Sequence, residues 1–336
     1  MRIFVYEWTA CARDAPACLR REGWAMLGAI LEDFHRSGQV ETVTLAHQQF
    51  PHDPPGLVRR VGGPAEEEQQ FCDLARKADA TLVIAPETSA ILQVRCAWVE
   101  REGGRLLGPG AQARALTTSK RQLAALWQAG GIPTPRPLDR GTPHQFPLVV
   151  KPDDGAGSQA TFVVADAAQL TKAFEQAALE GQSENLITQP FVPGQAASVA
   201  FLMGPKTCVA LVPAAQHLSA DNRLRYLGGS LPLGPGLAKR AVDLGRRAVH
   251  SCPGLCGYVG VDLVLGGADD GSQDFAIEIN ARVTTSYIGL RRLTHDNLAL
   301  ALLRVALGEK VGKLRWRDEV VRFRADGGLE IGASAC

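Results

Sequence analysis

Three short stretches of the 336-residue chain carry side chains that could do chemistry. Lys151 closes an apolar run, PLVVKP, and is followed directly by DDGAGS, residues 153–158. A glycine-containing turn between two strands can bend over a ligand and aim backbone N–H groups at phosphate oxygens. A lysine on the preceding strand adds positive charge beside them. The order differs from the phosphate loop in which the lysine follows the glycines and opens a helix. An ordinary hairpin turn with a surface lysine would give the same pattern. The second stretch is Ile277-Glu278-Ile279-Asn280. Residues two apart on a strand share a face, so Glu278 and Asn280 project together while both isoleucines face the core. Two hard oxygen donors on one face suit Mg2+, which takes carboxylates alongside substrate phosphates. The third is Asp262 in VGVDL, which an antiparallel pairing would bring beside Glu278. A solvated sheet face of alternating polarity is the plain alternative. The very apolar flanks argue instead for acids that are partly buried and need a partner.

The elements that must position these residues follow from periodicity. Residues 3–6 read as a buried strand, 22–36 as an amphipathic helix closed by Gly38, and 40–45 as an alternating strand. A helix over 64–79 and a strand over 81–85 complete a parallel α/β unit ending near Gly108–Gly110. Ligands bind at the edge where such strands end, which makes Glu7, Glu87 and Arg95 candidates there. A helix over 118–129 stops at Gly130–Gly131, and strands over 147–152 and 161–165 flank the glycine turn. Asp166 is a good N-cap for a helix over 167–178. Residues 186–192 read as a strand, and 198–203 and 208–214 as an antiparallel pair. The polar stretch 215–236 reads as a mobile loop, either a lid carrying His217, Asp221, Arg223, Arg225 and Tyr226 or plain solvated chain. A helix over 236–250, strands over 258–265 and 274–280, and a helix over 298–307 follow. The division expected is 1–110, 111–194, 195–310 and a tail, 311–336.

Composition excludes several classes of function. Hydrophobic residues make up 46% and charged residues 21%, enough for a sizeable core. The 36 basic and 35 acidic residues leave a net charge of +1, so no field attracts nucleic acid or an anionic membrane. No run nears the roughly 18 apolar residues of a membrane span. The N-terminus breaks its apolar run at Glu7 and then carries Arg13 and Asp14, a poor signal peptide, so a cytoplasmic location is expected. Of eight cysteines only Cys252 and Cys256 have ligand-like spacing, and no second pair completes a zinc site. His295–Asp296 fits a helix cap, and no nucleophile elbow is present.

The order of the pieces is more telling than any one of them. Lys120 leads a helix, Lys151 precedes the glycine turn, and Gln189-Pro190-Phe191-Val192 ends a strand before Pro193–Gly194. Asp262 and then Glu278-x-Asn280 close the series. From about residue 112 to 305 the chain resembles the ATP-grasp superfamily of ATP-dependent carboxylate–amine ligases. The resemblance implies an α/β protein with an ATP-grasp fold. Two α+β subdomains would clamp ATP, preceded by a Rossmann-like parallel domain. It implies that Lys120 and Lys151 meet the ATP phosphates and that Gly155, Ala156, Gly157 and Ser158 close over them. Gln189, Phe191 and Val192 would read the adenine edge. Gln195 stands where a glutamate usually holds the ribose, a departure that weakens that role. Asp262, Glu278 and Asn280 would bind Mg2+, with Mn2+ able to substitute, and Arg282 would stabilise the transferring phosphoryl group.

Within that superfamily, EINARVTTSYIGL (278–290), MRIFVYEW, REGWAML and SKRQLAAL resemble the tyramine–glutamate ligases of methanofuran biosynthesis and bacterial relatives making a related one-carbon carrier. Ala281 replaces a common proline. The resemblance implies L-glutamate as the acid, through its γ-carboxylate, and tyramine or tyrosine as the amine. The hydroxyl run Thr284, Thr285, Ser286 and Tyr287 could bind a substrate carboxylate or amine, or simply start a helix. The expected partners are small-molecule acid and amine, with no nucleic acid or membrane, and the expected assembly is a homodimer. A small-molecule kinase and a non-catalytic nucleotide-binding protein are the rival readings. The intact Lys120, Lys151, Asp262, Glu278, Asn280 set argues against the second.

Overall fold

The computed structural model describes residues 1–51, 53–138, 145–155, 157–182 and 185–333. Its first unit is a parallel sheet of β1 (Arg2–Glu7), β2 (Glu41–His47), β3 (Leu57–Val61) and β4 (Ala80–Ile84), in the order β3-β2-β1-β4. The helices are α1 (Trp8–Cys11), α2 (Ala17–Ser37), α3 (Pro64–Lys77) and α4 (Ile91–Arg101). Alternate side chains of β1 serve two cores. Ile3 and Val5 pack with Leu27, Ile30 and Phe34 of α2, while Phe4 and Tyr6 pack with Phe71 of α3 and Leu92 and Val99 of α4. A parallel strand covered on both faces has no exposed side. That is why residues 42–45 of the stretch 40–45, read as alternating, are all buried, as is Ala46. α2 starts five residues before its expected beginning and ends at Gly38 in a left-handed conformation (φ 63).

The chain then runs through α5 (Ala111–Thr118) and α6 (Lys120–Ala129), the latter capped by the Ser119 hydroxyl, which accepts from the Gln122 N–H. A small antiparallel sheet follows, ordered β6-β5-β7, from β5 (Leu148–Pro152), β6 (Phe162–Val164) and β7 (Leu186–Pro190). It is backed by α7 (Ala167–Leu179), whose N-cap Asp166 accepts from the Gln169 N–H at 2.8 Å. Leu148, Val150, Val164 and Ala173 form its own small core.

The large sheet comprises β8 (Gln195–Gly204), β9 (Thr207–Ala210), β10 (Ala214–Leu218), β11 (Tyr226–Leu231), β12 (Gly257–Leu265), β13 (Phe275–Asn280), β14 (Glu319–Arg324) and β15 (Leu329–Ala333). The order is β13-β12-β8-β10-β11-β14-β15, with β9 beside β8, and every pairing is antiparallel. Trp127 of α6 and Leu244 and Ala248 of α8 (Pro235–His250) pack on one face, against Phe201 and Val261. Ile288 of α9 (Ser286–Leu293) and Leu302 of α10 (Leu298–Ala306) join α2 on the other, against Leu202 and Tyr258. Two expectations are corrected here. Most of the supposed mobile loop 215–236 is the β10–β11 hairpin, built into the sheet. The supposed tail after residue 310 supplies β14 and β15, and β14 pairs with β11. The glycine-rich YLGGSL of β11 lacks alternation, and its partner lies far along the chain. Among the described residues no helix is long and apolar enough to cross a membrane.

Candidate active site

A cavity of about 340 Å³ lies between the small sheet and the large one. The strand period builds its charged walls. On β5, Leu148 and Val150 point into the small core, so Val149 and Lys151 face the cavity. On β12 and β13, Asp262 sits opposite Glu278 in register. Asp262 accepts from Asn280 Nδ2 at 3.0 Å and from Gln216 Nε2 at 2.8 Å. Lys120, at the first turn of α6, donates to the Gly155 carbonyl at 2.8 Å and lies 3.4 Å from Glu278. Asp153 locks this arrangement by accepting from the Ser119 hydroxyl (2.7 Å) and the Arg121 N–H (2.8 Å).

Burial sets the charge states. Loss of water pulls the Lys151 ammonium down to about 8 against the upward pull of Glu278, and Lys120 adds repulsion. Burial also pushes Glu278 up, but Lys120 and Lys151 outweigh it and hold the carboxyl below its usual value. Asp262 moves up, first through burial and then through the charge of Glu278. These two carboxylates converge with too little positive charge between them, as a divalent-cation site does before its ion binds. Among the described residues no three His, Cys, Asp or Glu side chains gather as a metal cluster. The donor set is two carboxylates and the Asn280 amide, which fits Mg2+ completed by phosphate oxygens.

The glycine turn covers this centre. Gly155, Gly157 and Ser158 line the cavity, whereas Ala156 falls outside the described residues. Gly157 adopts φ 66, a conformation that favours glycine. Ser158 donates to the Leu224 carbonyl at 2.7 Å, fastening the turn to the connection between β10 and β11. Beside it, Arg223 donates to both oxygens of Glu180 (2.8 and 2.9 Å) and lies 4.2 Å over the Phe162 ring. Gln189, Phe191 and Val192 line the cavity along the end of β7. The Gln189 side-chain N–H₂ is engaged by the Pro135 carbonyl (2.8 Å), and the Phe191 N–H by Pro147 (3.0 Å). Gln195 is not a lining residue: its side chain is exposed and turns back to its neighbour's carbonyl at 2.9 Å.

The opposite end of the cavity belongs to Arg282, Thr284, Thr285 and Ser286. Arg282 Nε donates to both oxygens of Glu87, at 3.0 and 3.1 Å, joining the segment after β13 to the first unit. Burial lowers the guanidinium's affinity for its proton, but Glu87, then Glu22 and Glu278, more than reverse this. Thr284 and Ser286 share a hydrogen bond of 2.9 Å, and both meet the buried Tyr258 hydroxyl. Tyr287 is corrected: it is fully buried and donates to Asp33 at 2.7 Å, a core contact between α9 and α2. Glu7 caps α1 rather than lining the site, and Arg95 is held by Glu67 and stacked on Trp98. Sequence reasoning missed Glu22 of α2, which lines the cavity and accepts from the Thr285 hydroxyl. An acid in an amphipathic helix carries no local signal of such a role.

Comparison with known proteins agrees with this geometry. The ATP-grasp domain family matches residues 117–286, and the pre ATP-grasp 3 domain matches 40–113. The chain therefore belongs to the ATP-grasp family, among the ATP-dependent ligases that form carbon–nitrogen bonds. Its relatives include the tyramine–L-glutamate ligase of Methanocaldococcus fervens, 25% identical over 92% of this chain and 95% of that one. The tyramine–L-glutamate ligase of Methanocaldococcus jannaschii is 28% identical over 96% of this chain and 94% of that one. A solved protein of the ATP-grasp superfamily from Archaeoglobus fulgidus superposes with a TM-score of 0.73 at 23% identity, covering 96% of this chain and 92% of that one.

Proposed function

We propose that this chain uses Mg-ATP to join the γ-carboxylate of L-glutamate to the amine of tyramine or tyrosine, within the synthesis of a one-carbon-carrier cofactor. The observation that carries the reading is the convergence of Lys120, Lys151, Asp262, Glu278, Asn280 and Arg282 on one cavity under a glycine turn. The tyramine–L-glutamate ligases that match nearly the whole chain support the choice of substrates. The carboxylate oxygen would attack the γ-phosphorus of ATP, with ADP leaving. The amine would then attack the acyl carbon, expelling phosphate and losing a proton. Asp262, Glu278 and Asn280 would hold the Mg2+ ion, which when bound supplies positive charge against the phosphates, and Mn2+ is able to take its place. Lys120 and Lys151 bind phosphate oxygens and Arg282 offsets charge on the transferring group, so the chemistry rests on positioning and electrostatics. The turn at 155–158 excludes water that would otherwise hydrolyse the acyl phosphate.

The test is phosphate release with Mg-ATP and L-glutamate while tyramine, tyrosine and other small amines are scanned, with product mass read in parallel. Release that needs both substrates, with an amide of the expected mass, supports the reading. A stable phosphorylated product without an amide would move the protein to the kinases. ATP binding with no stimulating pair would remove these substrates.

A further inference from the structure

The end of the cavity away from the glycine turn holds more negative charge than positive. Glu22 and Glu87 both act there on one guanidinium, Arg282, while Glu7 sits behind Glu22 on the α1 turn. Glu87 is spent on Arg282. Glu7 spends both oxygens on α1, accepting from the Thr9 N–H (3.1 Å), the Ala10 N–H (2.9 Å) and the Thr9 hydroxyl (2.7 Å). Glu22 differs. It lines the cavity, one oxygen takes the Thr285 hydroxyl, and the other has no hydrogen bond among the described residues. Tyr226 lines the same cavity, and its hydroxyl also has no partner among the described residues. Burial first, then the charges of Glu22 and Asp262, keep the proton on that hydroxyl.

A desolvated carboxylate next to a second one calls for a cation. Glu22 is moreover held ready for it. A Cβ at Gly23 would overlap the Glu7 carboxylate, so only glycine lets α2 seat on the α1 turn at this point and present Glu22 to the cavity. An ammonium has three N–H donors; Glu22 and Thr285 offer oxygen acceptors in contact with each other, and Tyr226 offers another on the same cavity. We propose that Glu22, flanked by Tyr226 and Thr285, is a subsite for a primary ammonium and selects substrates carrying a free amino group. The ligase reading above bears only on the ammonium's source, the amino group of the acid or the amine to be acylated.

Matched ligand pairs test it by calorimetric titration of the protein loaded with Mg2+ and a non-hydrolysable ATP analogue. The pairs are L-glutamate against glutarate, tyramine against tyrosol, and n-butylamine against n-butanol. The charge-assisted contact predicts that Glu22→Gln weakens the amino-bearing member at least about tenfold and leaves its partner within about twofold. Tyr226→Phe, which keeps the packing, should weaken the same member by about threefold, less because a neutral hydrogen bond is lost. Loss confined to glutamate assigns the ammonium to the acid, and loss confined to tyramine assigns it to the amine. If neither of those ligands binds, the substrates proposed above fail, and the butylamine pair still decides the role of Glu22. Equal weakening of both members of every pair, or weakening of none, would overturn the subsite.

Discussion

Replacing Glu87 by Gln tests whether the first unit positions Arg282 for the phosphoryl transfer proposed above. Glu87 is buried and the Arg282 side chain is 14% exposed, and Nε sits 3.0 and 3.1 Å from the two carboxylate oxygens. Two unit charges about 4 Å apart attract by about 4 kcal/mol at an effective dielectric near 20. Glu22 and Glu278 also act on Arg282 and remain in the variant, and Gln still accepts one hydrogen bond. About half of that attraction, ~2 kcal/mol, should therefore be lost, a fall in Tm of about 3 °C for a chain of this length. The freed guanidinium would move from its aligned position, and misplacement on the ångström scale costs up to about 10²-fold in rate. Steady-state kinetics should show kcat reduced about 10- to 100-fold, while the KM for ATP stays within about twofold, because Lys120 and Lys151 are untouched. The reasoning fails if Tm and kcat both stay at wild-type values. A rise in the KM for ATP at constant kcat would instead assign Arg282 to nucleotide binding.

Glu278→Gln removes one of the two carboxylates facing each other across β12 and β13, and turnover should fall by about 10²-fold or more; near-normal rates in a folded variant would dismiss its metal role. Lys151→Ala should raise the apparent KM for ATP and depress turnover, and an unchanged ATP response would remove Lys151 from the site. Glu7 gives a pH prediction. Burial raises its carboxyl from 4.5 to about 7, so the folded state favours the protonated form. That contribution is complete below pH 4.5 and is lost as pH rises through 7, by up to about 3 kcal/mol. Denaturant unfolding of wild type and Glu7→Gln should diverge by that amount across this window, and a pH-independent difference would contradict it.

The parts of the site that are legible in the sequence are those fixed by strand period. Lys151, Glu278 and Asn280 share faces with their neighbours two residues away, and the faces follow from alternation alone. Tyr287 was misjudged because the period changes there. α9 begins at Ser286, so the fourth residue of a hydroxyl run turns into the core. Glu22, and the task of Glu87, lie beyond local reading for another reason. Their partners Thr285 and Arg282 lie 263 and 195 residues away, and no local pattern encodes such a meeting. Glu87 could be placed at a strand end but not given a task. In the fold, the strongly periodic helices such as α2, α3, α6, α7, α8 and α10 are readable, whereas α4, α5, β3, β11 and β14 are not. β11 and β14 are each ordered by the other across nearly a hundred residues, so neither shows in its own composition.

If Tyr226 serves the proposed ammonium subsite, the pairing of β11 with β14 gives the late part of the chain a say in selectivity. Tyr226 opens β11, and the strands from Glu319 to Ala333 brace that strand from its far side. The carboxylates and lysines of the phosphate region stand on α6, β5, β12 and β13, and that region reaches the β10–β11 hairpin through Gln216 and Leu224. Cleavage in the 307–318 connection, followed by loss of the β14–β15 ribbon, would therefore blunt discrimination among amines and acids before it harmed nucleotide capture. On the proposed reading, the two ends of the cavity thus draw on different stretches of sequence, with the β10–β11 hairpin common to both.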